Sequence, residues 1–213
     1  MLHLIITLFG LIVFNCIVFF ELRSIKGERR NSIIICMMLS TTIVLGCKLL
    51  SILINIYISF SKPYINIFSG YMFYGGVILS IISILCYCKI RKIDYKVYLN
   101  AIIPNLLLLY SIWKIGCLVA NCCVGINGFP LQLVESFLCI NIYVYVKNVY
   151  ANLDQVFVIC FLFGCIRCCS FLLRDEIELI SLIINEIISV AILFVGFKMC
   201  QKYKTFNNKL IIV

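Results

Sequence analysis

Long apolar runs broken by short cationic tracts make up almost all of this sequence. The runs fall at about residues 4–20, 33–60, 66–88, 97–112, 132–150, 155–173 and 179–197. A helix rises about 1.5 Å per residue, so each run is long enough to cross, or nearly cross, a hydrocarbon core of roughly 30 Å. Polar stretches between the runs never exceed about 20 residues, which leaves no room for a separate soluble domain. Residues 1–213 therefore read as one integral membrane domain. The expected fold class is an all-α polytopic membrane protein, a bundle of seven transmembrane helices.

Composition sharpens this picture. With 64% hydrophobic and 13% charged residues and a mean hydropathy of +1.13, a soluble fold of this size could not cover its apolar surface. The net charge of +9 would suggest nucleic acid in a soluble protein. Here its placement excludes that partner: the cations cluster between apolar runs, at Arg23, Lys26, Arg29 and Arg30, at Lys89, Arg91, Lys92 and Lys96, and at Lys198, Lys202, Lys204 and Lys209. Under the seven-span reading, thirteen of the eighteen Lys and Arg fall on one side and three on the other, with Lys48 and Arg167 inside spans. This asymmetry predicts the N-terminus outside and the C-terminus in the cytoplasm. Cations follow the first run rather than precede it, so it reads as an uncleaved span rather than a secretory signal. Asn15 also spoils Val13 to Cys16 as a lipobox.

One stretch departs from the apolar pattern. Trp113 to Glu135 carries a lysine, three glycines, three cysteines, a proline, a glutamine and a carboxylate. Irregular backbone at membrane depth survives only where protein buries it or water reaches it, so this stretch is expected to line a cavity. The seven-span topology puts Tyr74, Lys114, Gln132, Glu135, Arg167 and Arg174 toward the same, outer face. Lys48 lies within the second run, where it either serves a site or snorkels to a boundary. Three cations against one clear carboxylate leave a positive surplus, which suits an anion such as a lipid phosphate. The alternative is a Glu135–Arg167 ion pair that pins the fifth and sixth spans.

Most of the fourteen cysteines stand singly in apolar runs, where cysteine acts as a small hydrophobe. Cys117, Cys122 and Cys123 form one group, and Cys165, Cys168 and Cys169 another. Packing, a disulfide or other thiol chemistry, and a metal are the open readings of these groups, and neither carries a second His/Cys set at matching spacing. The expectation is no metal and no cofactor.

The polar elements, taken in order, resemble the prolipoprotein diacylglyceryl transferase family. Lys114-Ile-Gly-Cys-Leu-Val-Ala-Asn-Cys-Cys-Val-Gly125 is similar to the family signature, in the branch whose latter half reads Gly-Cys-Cys-Tyr-Gly, and Pro130-Leu-Gln-Leu-Val-Glu135 resembles the Pro-Ser-Gln-Leu-Tyr-Glu that follows it. Tyr74-Gly75-Gly76 falls on the family's His-Gly-Gly, and Gly46-Cys-Lys48 on an upstream Gly-Ala-Arg or Gly-Ala-Lys element. Gly164-Cys-Ile-Arg167, with Arg174 beyond it, is similar to the Tyr-Gly-x-x-Arg-Phe segment and its later arginine.

The resemblance implies a multi-pass enzyme of the bacterial plasma (inner) membrane. Such an enzyme moves a diacylglyceryl group from phosphatidylglycerol to the lipobox cysteine of a prolipoprotein. It further implies catalytic roles for Arg167, Tyr74 and Cys122, and substrate binding by Lys114, Cys117, Gly125, Gln132, Glu135, Arg174 and Lys48. Several family positions are replaced. Tyr74 stands for a histidine, Lys114 for an arginine, Cys117 for an asparagine and Cys122 for a carboxylate, while Phe171 takes the place of another carboxylate. The alternatives are a catalytically altered relative that binds phospholipid or a partner protein, and a membrane thiol oxidoreductase.

Overall fold

The computed structural model describes residues 2–26, 29–59, 72–149, 154–175 and 186–198. Their backbone is helical almost throughout: α1 (Leu2–Lys26), α2 (Arg29–Ser59), α3 (Phe73–Arg91), α4 (Tyr95–Val119), a 3-10 turn (Ile126–Gly128), α5 (Leu131–Val149) and α6 (Asp154–Leu172). A last helix, α7, covers residues 186–198. By length and composition α1, α2, α3, α4 and α6 each suffice to cross a membrane. In α5, Gln132, Glu135 and Lys147 dilute the apolar content. Residues 60–71, which include the end of the second run and the start of the third, residues 176–185, which include the first part of the seventh run, and the tail after 198 lie outside the described residues.

Consecutive helices run antiparallel, and the polar residues show how the ends meet. Lys92 takes a left-handed conformation (φ 54°) that stops α3, and Asp94 caps α4 by accepting from the Lys96 N–H at 3.0 Å. At the far end of this hairpin α2 lies tightly on α3: a Cβ at Gly75 or Gly46 would run into the other's backbone, and one at Gly76 would stand 2.6 Å from the Cys47 sulfur. Glycine permits that approach, and the approach places Tyr74 inside the bundle, where it is 4% exposed. Packing and presentation of the tyrosine are thus one feature.

Two apolar clusters fill the interior. One joins Phe14, Val18, Ile35, Leu39, Ile84 and Ile102 from α1–α4, and the other joins Leu107, Cys139, Ile159 and Phe163 to Tyr74 and Tyr110. Large apolar side chains such as Phe9, Ile12, Met37, Leu53 and Phe137 point outward instead. That inside-out distribution is what a lipid solvent requires. The cations Arg23, Arg30, Lys89, Arg91, Lys92 and Lys96 sit on the helix ends at one pole of the bundle.

The structure corrects one boundary with consequences for the site. The fourth helix continues to Val119 rather than ending near 112, so Lys114, Gly116 and Cys117 ride on regular backbone. Continuing the hydrogen-bond ladder leaves fewer polar groups unpaired at membrane depth than stopping it would. Between Trp113 and Glu135, irregular chain is confined to residues 120–130. Pro104 leaves α4 as one helical element, and the Asn105 amide donates to the Ala101 carbonyl at 2.6 Å in the same turn.

Candidate functional site

Helical periodicity lines up the chemistry. On α4, Tyr110, Lys114 and Cys117 follow i, i+4, i+7 spacing; on α5, Gln132, Glu135 and Cys139 follow i, i+3, i+7; on α6, Phe163, Arg167 and Ser170 follow i, i+4, i+7. Each set faces inward, with Lys114, Gln132, Glu135, Arg167 and Ser170 all buried. The first turn of α3 adds Tyr74, and the start of α7 adds Glu186 and Ser189.

Glu135 is the hub. Its Oε1 accepts from Arg167 Nη1 at 3.0 Å, and its Oε2 accepts from the Tyr110 hydroxyl at 3.0 Å and pairs with Lys114 Nζ. Arg167 Nη1 also donates to the Tyr110 oxygen at 3.0 Å, and its Nε donates to the Tyr74 oxygen at 2.9 Å. Tyr74 in turn shares a 2.6 Å hydrogen bond with Ser189. Aromatic rings wall the array: Phe163 meets Tyr110 edge-on at 5.0 Å and Phe73 meets it at 4.9 Å. Only 2–8% of the Lys114, Glu135 and Arg167 side chains is exposed. Two cations share one carboxylate in a dry setting, so the core of the array keeps a surplus positive charge. Burial makes that surplus strong in its pull on an anion.

The charge count differs from the expectation in one respect. Glu186 on α7 is a second carboxylate within electrostatic reach of Arg167 and Arg174. The full set is three cations against two carboxylates, a surplus of one.

The loop after α4 closes the same face. Cys122 N–H donates to the Cys117 carbonyl at 3.0 Å, and Asn121 and Cys123 take left-handed φ values of 51° and 63°. The Cys117, Cys122 and Cys123 sulfurs come within 4.8 Å of one another. Gln132 Nε2 donates to the Cys122 carbonyl at 2.6 Å, which fixes the loop to α5. Gly125 pairs with Arg174 in an antiparallel bridge, with Ile126 N–H donating to Leu173 O at 2.9 Å and Asp175 N–H to Val124 O at 3.2 Å. A Cβ on Gly125 would stand 2.9 Å from the Leu173 carbonyl oxygen, so this close pairing requires glycine. The bridge carries Arg174 to the cysteine turn. A hydrogen bond from the Cys117 thiol, joined by the nearby Arg174 and Lys114 cations, holds the Cys123 thiol below its usual range, against the opposing effect of burial. Burial pushes Cys122 the other way.

The structure therefore brings Tyr74, Lys114, Glu135 and Arg167 into one bonded array, and sets Cys117, Gln132 and Arg174 against the adjoining loop that carries Cys122 and Gly125. Lys48 follows Cys47, whose carbonyl accepts from the Met72 N–H at 3.2 Å just before α3. The described cysteines are free thiols, and among them Cys165, Cys168 and Cys169 do not gather into a ligand-like cluster, unlike Cys117, Cys122 and Cys123. Sequence reading missed Tyr110, Ser189 and Glu186. Tyr110 was within reach, since it precedes Lys114 by one helical turn. Glu186 and Ser189 carry no local signal beyond polarity in an apolar run.

Comparison with known proteins adds an independent observation. Residues 3–201 match the family model described as prolipoprotein diacylglyceryl transferase. A phosphatidylglycerol-prolipoprotein diacylglyceryl transferase of Clostridium tetani (strain Massachusetts / E88) is 29% identical over 116 residues, 52% of this chain and 47% of that protein. The protein of the same name from Leptospira interrogans serogroup Icterohaemorrhagiae serovar copenhageni is 35% identical over 78 residues, 36% of this chain and 24% of its own length. The matched part of the chain thus spans about half, or less, of the relatives' length.

Proposed function

This chain belongs to the prolipoprotein diacylglyceryl transferase family, and on that premise we propose that it transfers a diacylglyceryl group from phosphatidylglycerol to the lipobox cysteine thiol of a prolipoprotein. The observation that carries the reading is the buried array in which Arg167 and Lys114 share Glu135 beneath two tyrosine hydroxyls. In this reaction a thiolate sulfur attacks the glyceryl carbon, the carbon–oxygen bond to phosphate breaks, and glycerol phosphate departs with the bonding electrons. The site must hold a phosphodiester, stabilise charge growing on the departing phosphate and accept the thiol proton.

Arg167 and Lys114 are assigned to the phosphate, with Arg174 at its edge. Glu135 and Tyr110 orient the two central cations. Tyr74 and Cys122 are the proposed proton-handling groups, standing where relatives have a histidine and a carboxylate. Gln132, Gly125 and Cys117 hold the loop that forms the headgroup wall, and Lys48 is proposed to steer headgroups near the mouth. An apolar cavity of about 120 Å³ between α1, α2 and α4, lined in part by Leu8, Val44, Leu109 and Trp113, offers room for part of an acyl chain.

For topology we propose seven spans in a bacterial plasma membrane. The basic pole faces the cytoplasm, which places the N-terminus and the Glu135 array outside. The placement of Arg23, Arg30, Lys89, Arg91, Lys92 and Lys96 supports this orientation.

The test uses the purified chain in phosphatidylglycerol nanodiscs with a lipobox peptide. The expected product is a diacylglyceryl thioether detected by mass spectrometry, absent with Arg167→Ala. An intact, folded protein that yields no product removes the transfer reading. The replacement of the family's histidine by Tyr74 and of a signature carboxylate by Cys122 favours a second reading, a relative that binds phospholipid without turnover. Headgroup-dependent lipid binding, abolished by Arg167→Ala and unaccompanied by product, would select it.

A further inference from the structure

We propose that Cys117, Cys122 and Cys123 form a binding site for a thiophilic metal cation, zinc or copper(I), at the loop that closes the outer end of α4. The three sulfurs lie within 4.8 Å of one another. Thiolates bind zinc at about 2.3 Å, which puts two ligands of one tetrahedral ion about 3.8 Å apart. Closing the observed cluster onto an ion thus asks for movements of about 1 Å or less, within the reach of side-chain rotation.

The spacing alone does not predict such a site, because a helix carried through residue 122 would rotate Cys117 and Cys122 away from each other. The chain turns instead. Cys122 N–H folds back onto the Cys117 carbonyl, and the left-handed backbone at Asn121 and Cys123 brings two consecutive thiols to one point. Gln132 and the Gly125–Arg174 bridge hold the turn from both sides. Cys117 is buried and Cys122 is exposed, so the cluster has a protected base and an open entrance. That opening leaves a fourth coordination position for zinc, or none filled for a trigonal copper(I) ion.

Charge agrees with coordination. Three thiolates leave a net negative complex around either cation, and Lys114 and Arg174 both act electrostatically on this cluster. The same lysine serves Glu135, so the metal loop and the anion array share a charge, and with metal bound the Cys122 thiolate is a ligand and proton handling in transfer falls to Tyr74. Cys47 and Cys139, by contrast, are buried in the two apolar clusters and belong to no such three-sulfur group.

The experiment uses the full chain in detergent micelles, reduced and stripped with a chelator, and reads metal binding independently of transfer. Cobalt(II) is the spectroscopic probe for the zinc arm, and competition with a coloured copper(I) chelator is the probe for the other. One equivalent of cobalt should give a thiolate charge-transfer band that zinc removes, or copper(I) should be withheld from the chelator. Cys117→Ser or Cys123→Ser should weaken the binding at least about tenfold, whereas Cys168→Ser should leave it unchanged. Equal metal retention by the intact protein and by the Cys117→Ser/Cys123→Ser double variant would overturn the proposal. So would mass-spectrometric detection of a disulfide between Cys117 and Cys122 or Cys123 in the protein as isolated.

Discussion

Two carboxylates tie helices together across this bundle, and they are used differently. Glu21 on α1 accepts from Lys147 Nζ at 2.7 Å and from Asn105 Nδ2 at 3.1 Å. There one cation meets one carboxylate, about a quarter of each side chain is exposed, and the local charge is balanced. Glu135, nearer the other pole, has two cations and almost no exposure. A balanced, part-wet pair is a tether whose two charges satisfy each other. The surplus at Glu135 is held in a medium that penalises it, and structure alone gives no reason for the second cation. The contrast supports the proposal that the second cluster is the working one, without reference to any relative.

Removing Arg167 should have the largest consequence. Arg167→Ala deletes the donor to Tyr74, Tyr110 and Glu135 at once. Losing a preorganised donor of this kind typically costs about 10²- to 10³-fold in rate. The expected result in nanodiscs is transfer reduced by at least that factor, with Arg167→Lys intermediate because it keeps charge and loses the planar fork. Full activity in Arg167→Ala would make the array a tether like the one at Glu21.

Glu135→Gln sharpens the same distinction, because it removes the anion and leaves the cations. Two buried positive groups would then lack their counter-ion, at a cost to stability of about 3 to 5 kcal/mol, read as a lowered unfolding midpoint. Affinity for anionic headgroups should rise at the same time, while neutral lipids bind as before. A pure tether would lose stability with no gain in headgroup affinity. Lys114→Met sits lower on the scale: Arg167 keeps its bonds to Glu135, so transfer should fall by about tenfold, a loss of roughly 1.4 kcal/mol in transition-state binding.

How much of this contrast was legible beforehand depends on the residue. Lys114, Glu135 and Arg167 stood out because charge in apolar runs is costly, and the alternation of spans placed them on one face. Their convergence on one carboxylate could not be read, since side chains on α4, α5 and α6 meet only through tertiary packing. Glu135 pairs with Arg167 across α5 and α6, as one of the two readings expected, and Lys114 adds a second cation to that pair. The extent of α4 was misread because Gly116 and Cys117 resemble a break, yet apolar surroundings favour an unbroken helix. Tyr110 and Ser189 were passed over because a hydroxyl signals a site only when its partner is known. The bonds from Asn105 and Lys147 to Glu21 appear only once tertiary packing brings the α4 and α5 side chains to α1.

The smallest effect should come from the balanced pair. Lys147→Met leaves Glu21 bonded to Asn105 Nδ2 and open to water, so the carboxylate keeps a partner and part of its hydration. An ion pair this exposed contributes about 0 to 1 kcal/mol once screening and side-chain ordering are counted. Thermal unfolding of Lys147→Met should therefore move by only a few degrees, and transfer measured in the same nanodiscs should match the parent within about twofold. Raising the salt concentration should narrow even that difference, because exposed charges are screened, whereas the Lys114→Met defect should persist. A loss of transfer in Lys147→Met equal to that in Lys114→Met would show that surplus charge is not what separates the two poles, and the assignment of the working site would have to rest on family membership alone.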